Sequence, residues 1–239
     1  MPIFYPTDRP LADSKCNTFA IIARCPQTKR FGAAAASKFP GVGAFSPCVD
    51  PEYGVVATQG WMNPALGPRG IELLRQGLTA NKVLDDLLME DPGRDLRQVA
   101  VIDRFGHCAA FTGSENDDVK GHLIGDQFCL SGNLLANEDV LPAMEQAFEQ
   151  SADLELAERL LAALKAGSDA GGDRRGKQAS VLKVAATPGF PYVDFRVDDH
   201  PEPILELERI YYSNRSVLIE QYYDWVDTVM KGIPLEKKG

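Results

Sequence analysis

Thr18-Phe-Ala-Ile-Ile-Ala-Arg24, Cys25-Pro-Gln-Thr-Lys-Arg30 and Phe31-Gly-Ala-Ala-Ala-Ala-Ser37 follow one another without a break. The first block is rich in β-branched and apolar residues, the second is turn-like, and the third is a brief run of small residues. Alanine ordinarily favours a helix, but Gly32 and the shortness of the run argue for a strand packed closely by another layer. Together the three blocks predict a β-hairpin. Upstream, Pro2, Pro6 and Pro10 punctuate residues 1–17, where no periodicity develops, and an irregular extension is expected.

Downstream, a glycine-rich bend (Phe39-Pro-Gly-Val-Gly43) leads to a strand over Tyr53–Gln59. The period then changes. Ile71, Leu73, Leu74 and Leu78 suggest a helix opened by Pro68, and Thr79 is placed to cap a second helix bearing Val83, Leu84, Leu87 and Leu88. Asp91-Pro-Gly-Arg94 reads as a turn, Leu96–Asp103 and His107–Thr112 as a hairpin, and Leu123–Leu130 as a strand. Helices over Asp139–Gln150 and Leu154–Ala166, strands over Ser180–Ala186 and Tyr192–Val197, and one long helix from Leu207 to Met230 complete the chain. Its apolar stripe reads first as a face packed on the body of the fold, and second as a subunit interface. Hairpins alternating with paired helices are incompatible with a parallel doubly wound sheet. The expected class is α+β, a four-layer αββα sandwich of two antiparallel sheets with helices on both outer faces.

Composition removes several functions. The 239 residues are 44% hydrophobic and 25% charged, which is globular, and no apolar run is long enough to span a bilayer. Acidic residues outnumber basic ones, 34 to 25, giving a net charge of −9 that repels phosphate backbones, so no nucleic-acid partner is expected. The N-terminal residues have no apolar core of the secretory kind. Five scattered cysteines (Cys16, Cys25, Cys48, Cys108 and Cys129) form no C-x-x-C pair, so no disulfide framework is expected and a reducing, cytoplasmic setting is. There is no nucleophile elbow, zinc-protease helix, phosphate loop or calcium loop, and Cys/His spacing fits no standard zinc site. Neither metal nor cofactor is expected.

Only His107, His122 and His200 are available as histidine bases. A hydrolase short of histidine can use the α-amino group of its own nucleophile, whose pKa near ~8 suits a base at neutral pH. The nucleophile is then a Thr, Ser or Cys that opens a strand at the start of a mature chain.

The opening blocks, followed by Ala57-Thr-Gln-Gly-Trp61, Asn63-Pro64, Gly67-Pro-Arg-Gly70, Asp91-Pro-Gly-Arg94 and Gln98, resemble an uncharacterised family catalogued as domain of unknown function 1028. Phe111-Thr-Gly113, Gly121-His122, Gly132-Asn133, Gly171-Gly-Asp-Arg-Arg-Gly176, Gln178 and Val197-Asp-Asp-His-Pro201 continue the resemblance in order. It covers roughly Thr18 to Leu207 and divides the chain into an extension (1–17), a domain (18–207) and a C-terminal helix and tail (208–239). That family is assigned to the N-terminal-nucleophile (Ntn) hydrolases, which implies the αββα sandwich and amide hydrolysis. Residue by residue, Thr18 takes the nucleophile's place. Ser37 and Lys38 end the second strand, where a cation would lower the nucleophile's pKa. Gln59 and Asn133 are candidate oxyanion donors, and Asn63, Asp173, Arg174 and Arg175 are candidate substrate contacts, the arginines for an anionic group.

Plainer readings stand beside these: Thr18 as a strand starter, Lys38 as a solvated charge, Gln59 and Asn63 as turn amides, and the two arginines as a solvated loop. Cys16 is a conceivable substitute nucleophile, though a buried small hydrophobe is the plainer reading. Thr18 is preceded by residues 1–17, so its nitrogen is an amide and no base. Three explanations stay open: self-cleavage between Asn17 and Thr18, an uncut precursor with its cleft plugged, or loss of catalysis. The leading expectation is therefore an amidohydrolase acting on a small amide or peptide-like bond. Its rival is a non-catalytic ligand-binding or assembly protein on the same scaffold. The expected partners are a small molecule and a second copy in a homodimer.

Overall fold

The computed structural model describes residues 16–186 and 190–232. Residues 1–15, nearly all of the expected extension, lie outside the described residues. Strand β1 (Thr18–Arg24) and strand β2 (Phe31–Ser37) form the expected hairpin, with Thr18 opposite Ser37 and Arg24 opposite Phe31. A short helix α1 (Val42–Phe45) and strand β3 (Cys48–Asp50) precede β4 (Gly54–Gly60). Helices α2 (Leu66–Arg75) and α3 (Ala80–Glu90) follow, then β5 (Arg97–Asp103), β6 (Cys108–Thr112), β7 (Gly121–Gly125) and β8 (Phe128–Gly132). The chain continues through α4 (Val140–Gln150), α5 (Leu156–Asp169), β9 (Ala179–Ala186), β10 (Phe190–Val197), α6 (Pro203–Asn214) and α7 (Tyr222–Met230).

The class is α+β, with two antiparallel sheets ordered β10-β9-β2-β1-β8-β7 and β3-β4-β5-β6. Three apolar clusters show how they are covered. Phe19, Ile21, Ala34 and Ala36 meet Met144, Leu160 and Leu164 of α4 and α5 on one side of the larger sheet, with Leu207 and Tyr211 of α6. Val56, Val99 and Val101 of the smaller sheet meet Ile71, Leu74, Val83 and Leu87 of α2 and α3. Between the sheets, Ile22, Phe31, Ala33 and Cys129 face Val55, Ala57, Ala100 and Ile102. Strands β1 and β2 are thus buried on both faces, which is why they read as continuous apolar runs rather than alternating ones. A Cβ at Gly32 would lie 2.7 Å from Leu160 Cδ1. The small residues of β2 let α5 approach that closely.

Several elements differ from expectation. Residues 123–130 are not one strand but a hairpin, turned at Asp126–Gln127, where Gln127 has φ 61°. Helix α1 begins within the expected bend (Phe39–Gly43), and strand β3 lies between that bend and the strand expected over Tyr53–Gln59. Asp50 makes β3 workable: its Oδ1 accepts the N–H groups of Glu52 and Tyr53 while Oδ2 accepts from Arg75. Thr79 occupies the cap of α3 but its side chain makes no capping bond. Asp103, from β5, accepts the Ala80 N–H instead, at 3.1 Å. The long last helix is broken by a π-helical stretch at Arg215–Gln221. Its packing on the body thins along its length: Tyr211 is fully buried and Ile219 and Tyr223 still meet the core, whereas Trp225, Val229 and Met230 are exposed.

Candidate active site

Thr18 opens β1 at the end of the larger sheet where β4 of the smaller sheet also ends. Residue 16 joins the two: Cys16 N donates to Gly60 O and Gly60 N to Cys16 O, both at 3.0 Å. The chain therefore crosses from one sheet to the other through Asn17, and all three residues, 16 to 18, are buried. The Thr18 hydroxyl donates to Cys16 O at 2.8 Å and lies 3.6 Å from Cys16 Sγ. Burial pushes the Cys16 thiol up, against the opposing hydrogen bonds from Thr18 and Ser37, so it stays protonated and is a poor substitute nucleophile.

The bond between Asn17 and Thr18 is held at its carbonyl. Ser37 Oγ donates to Asn17 O at 2.5 Å, and Arg175 Nη2 donates to the same oxygen at 3.2 Å. Register explains the first contact, since Ser37 is the strand partner of Thr18. Asp173 explains the second. Its side chain is fully buried and accepts Arg175 Nε at 3.1 Å and Arg175 Nη2 at 2.7 Å, besides the N–H groups of Arg175 and Lys38. A bidentate pair of this kind fixes the guanidinium plane.

The carbonyl on the far side of Thr18 is held too. Gln59 Nε2 and Asn133 N donate to Thr18 O at 3.1 and 3.2 Å. Behind them sits Gln98, whose Oε1 accepts from Gln59 Nε2 at 2.6 Å and Asn133 Nδ2 at 2.8 Å. Its own Nε2 donates to Thr112 Oγ1, Gly121 O and Gly132 O. Thr112 in turn pairs with His122 Nδ1 at 2.9 Å, and burial holds that imidazole below its ordinary pKa, so it is neutral at pH 7.

Ser37, Gln59, Asn133, Asp173 and Arg175 thus converge as a set on Thr18 and the two peptide bonds that flank it. The others do not join it. Lys38 is exposed, and the cation near the expected nucleophile is Arg175 instead. Asn63 is a turn amide, its Oδ1 accepting Ala65 N and its Nδ2 reaching Asp91 at 3.5 Å. Arg174 is exposed, reaching Asp118 O at 3.5 Å. Asp173 does not face outward to a ligand but orients Arg175. The side-chain amides of Gln59 and Asn133 are engaged within the protein rather than presented to an incoming oxyanion. Gln98 has no role in the sequence reading, although one signal marks it: a neutral polar residue beside the apolar run Val99–Ile102. Asn17 enters that reading only as the residue before the cut, because nothing in its type or spacing signals a site.

A family described as "Family of unknown function (DUF1028)" matches residues 18–207. Among solved structures, protein SPO2555 from Silicibacter pomeroyi, of that same family, is 36% identical, with TM-score 0.80 over 86% of this chain and 89% of its own. Anbu (ancestral beta-subunit) from Yersinia bercovieri aligns over 92% of this chain and 99% of its own at 12% identity, with TM-score 0.39. An Anbu mutant from Hyphomicrobium sp. strain MC1 gives 14% identity and TM-score 0.42 over the same shares. Those two likenesses are too distant to carry an inference. No curated protein matches the chain. Among the described residues, no helix is long and apolar enough to cross a membrane.

Proposed function

The chain belongs to the family of unknown function DUF1028, and from that membership and the geometry around Thr18 we propose that it is an amide hydrolase of the N-terminal-nucleophile type, in the form that precedes its activating cut. The helix–sheet–sheet–helix order supports the reading, since the αββα sandwich of that class sets its nucleophile at the end of a central strand. The observation that carries it is the convergence of Ser37 Oγ and Arg175 Nη2 on the carbonyl oxygen of Asn17. Two donors at a carbonyl oxygen are what an attack on its carbon requires, because the oxygen gains negative charge as the carbon becomes tetrahedral.

In the proposed cut, Thr18 Oγ1 adds to the Asn17 carbonyl carbon. The alkoxide on Asn17 O is met by Ser37 and Arg175, and the Asn17–Thr18 C–N bond breaks. The hydroxyl proton passes to the departing nitrogen, leaving an ester on Thr18 and a free amine. Water then hydrolyses the ester, giving a carboxylate on Asn17 and restoring the hydroxyl. The freed amine has an ordinary pKa near ~8, which the adjacent Arg175 cation lowers, so a large share is unprotonated at neutral pH. Thr18 then holds attacker and proton acceptor in one residue, and the shortage of histidine ceases to matter.

Intact-mass measurement over prolonged incubation tests this. A fragment beginning at Thr18 is expected in wild type and absent in Thr18→Ala. Ser37→Ala should slow its appearance about 100-fold, as for loss of one oxyanion donor. A wild-type chain that stays whole and resists labelling by an electrophilic amide analogue favours the rival reading, a ligand-binding protein with Thr18 permanently enclosed. The burial of Thr18, 2% exposed, is the observation on that side.

A further inference from the structure

The acyl side of the bond before Thr18 is held as firmly as its carbonyl. Asn17 is 0% exposed, and its Nδ2 donates to Asp117 Oδ2 at 3.1 Å. Asp117 lies on the loop between β6 and β7, and this loop is well anchored. Glu115 N donates to Asp95 O, Asp117 N to Asn116 Oδ1, and Lys120 Nζ to the Ser114 and Asn116 carbonyls. The buried Asn116 presses on Gly60, where an added Cβ would come within 2.5 Å of Asn116 Nδ2. Asn17 Oδ1 and Asn116 Nδ2 are both buried with no hydrogen-bond partner among the described residues. The side chain preceding the nucleophile therefore occupies a polar, enclosed recess that presents it with a carboxylate oxygen.

We propose, resting on the self-cleaving hydrolase reading, that Asp117 is a specificity-determining residue: it selects an uncharged carboxamide side chain on the acyl residue of the bond that Thr18 attacks, so that asparaginyl-type amides are the favoured class. A carboxamide N–H₂ satisfies the Asp117 oxygen. An ionised acyl side chain would bury a second negative charge beside the half-buried Asp117 carboxylate. An apolar one would strip the oxygen of that donor without replacing it. Discrimination thus rests on a repulsive element as much as on an attractive one.

The test compares cleavage rates of the full chain by intact mass in wild type, Asn17→Asp, Asp117→Asn and the double variant. Asn17→Asp should cut at least about tenfold more slowly, a loss of about 1.4 kcal/mol in the barrier. Asp117→Asn should itself slow the cut, by about three- to tenfold, because a neutral carboxamide oxygen accepts from Asn17 more weakly than a carboxylate does. In the double variant the amide introduced by Asp117→Asn can donate to the new carboxylate, and the rate should recover at least about tenfold over Asn17→Asp. That rescue is not expected of a merely structural role. On the cut protein, asparagine p-nitroanilide should turn over at least about tenfold faster than the aspartyl compound. Equal rates for wild type and Asn17→Asp, or no rescue in the double variant, would overturn the proposal while leaving self-cleavage standing. A wild-type chain that never cuts would overturn both.

Discussion

Gln98 accepts from two buried amides and shares its two amide protons among three oxygens, and its contacts with Asn133, Gly121 and Gly132 reach from its own sheet to the other. Replacing it by Leu keeps the volume but leaves Asn133 Nδ2 and the Gly121 and Gly132 carbonyls without it. The expected loss is about 3 to 5 kcal/mol, read as a shift in the urea midpoint. Asp91 offers a second test at this scale. Burial alone would raise its carboxyl, but Arg97, 2.8 Å away, and the Gly93 N–H outweigh that and hold it below its ordinary value of 3.8. Its folded form therefore binds a proton less readily than its unfolded form. The stabilisation is present above pH 3.8 and is lost as pH falls below it. Asp91→Asn should flatten the acid limb of a stability–pH curve measured from pH ~6 down to ~2.5. At this scale the sequence is only partly legible. Thr18 and Ser37 are readable because the hairpin's register sets them opposite each other. Lys38 and Arg175 are not distinguishable in advance, because which cation turns inward depends on Asp173, which is fixed by a bridge between Leu135 and Asp173 far away in the chain.

Among the elements, α3 shows how a cap can come from outside its own segment. Asp103 Oδ2 accepts Ala80 N and pairs with His107 Nδ1, while Oδ1 accepts the N–H groups of Phe105 and His107. One buried carboxylate closes the β5–β6 turn and starts a helix at once. Asp103→Ala should cost about 2 to 4 kcal/mol by urea denaturation, whereas Asp103→Asn, which keeps an acceptor, should cost less than half of that. Thr79 looks like the cap from sequence because capping rules are local, and Asp103 is a long-range partner that no local rule can see. The β1–β2 hairpin and the paired helices are legible for the opposite reason: their patterns are complete within each segment. Strands β7 and β8 merge in the sequence because their turn carries none of the usual Asn-Gly or Asp-Gly signals.

The whole molecule is held by an apolar seam between its sheets, and the layer order follows from the alternation of hairpins with helix pairs. Both sheets bury residues in that seam, so they should unfold together. Ile102→Ala, which empties the middle of it, should cost about 3 to 4 kcal/mol and shift far-ultraviolet dichroism and tryptophan fluorescence by the same amount. Two separate transitions would mean that the sheets are independent. The break after α6 lies beyond what periodicity can tell, because Leu218, Trp225 and Val229 continue the stripe of Leu207 and Tyr211 without being covered by the same body.

The backbone pairing of Cys16 with Gly60 gives the proposed scission an unusual sequel. While the chain is whole, this staple is built in and costs nothing to keep. Once the bond after Asn17 is severed, the same staple becomes a contact between two molecules, retained only as long as the freed segment stays docked. Dilution would then release it, opening the nucleophile and loosening one tie between the sheets in the same event, so that the activated form would be most stable where its own leader is most abundant.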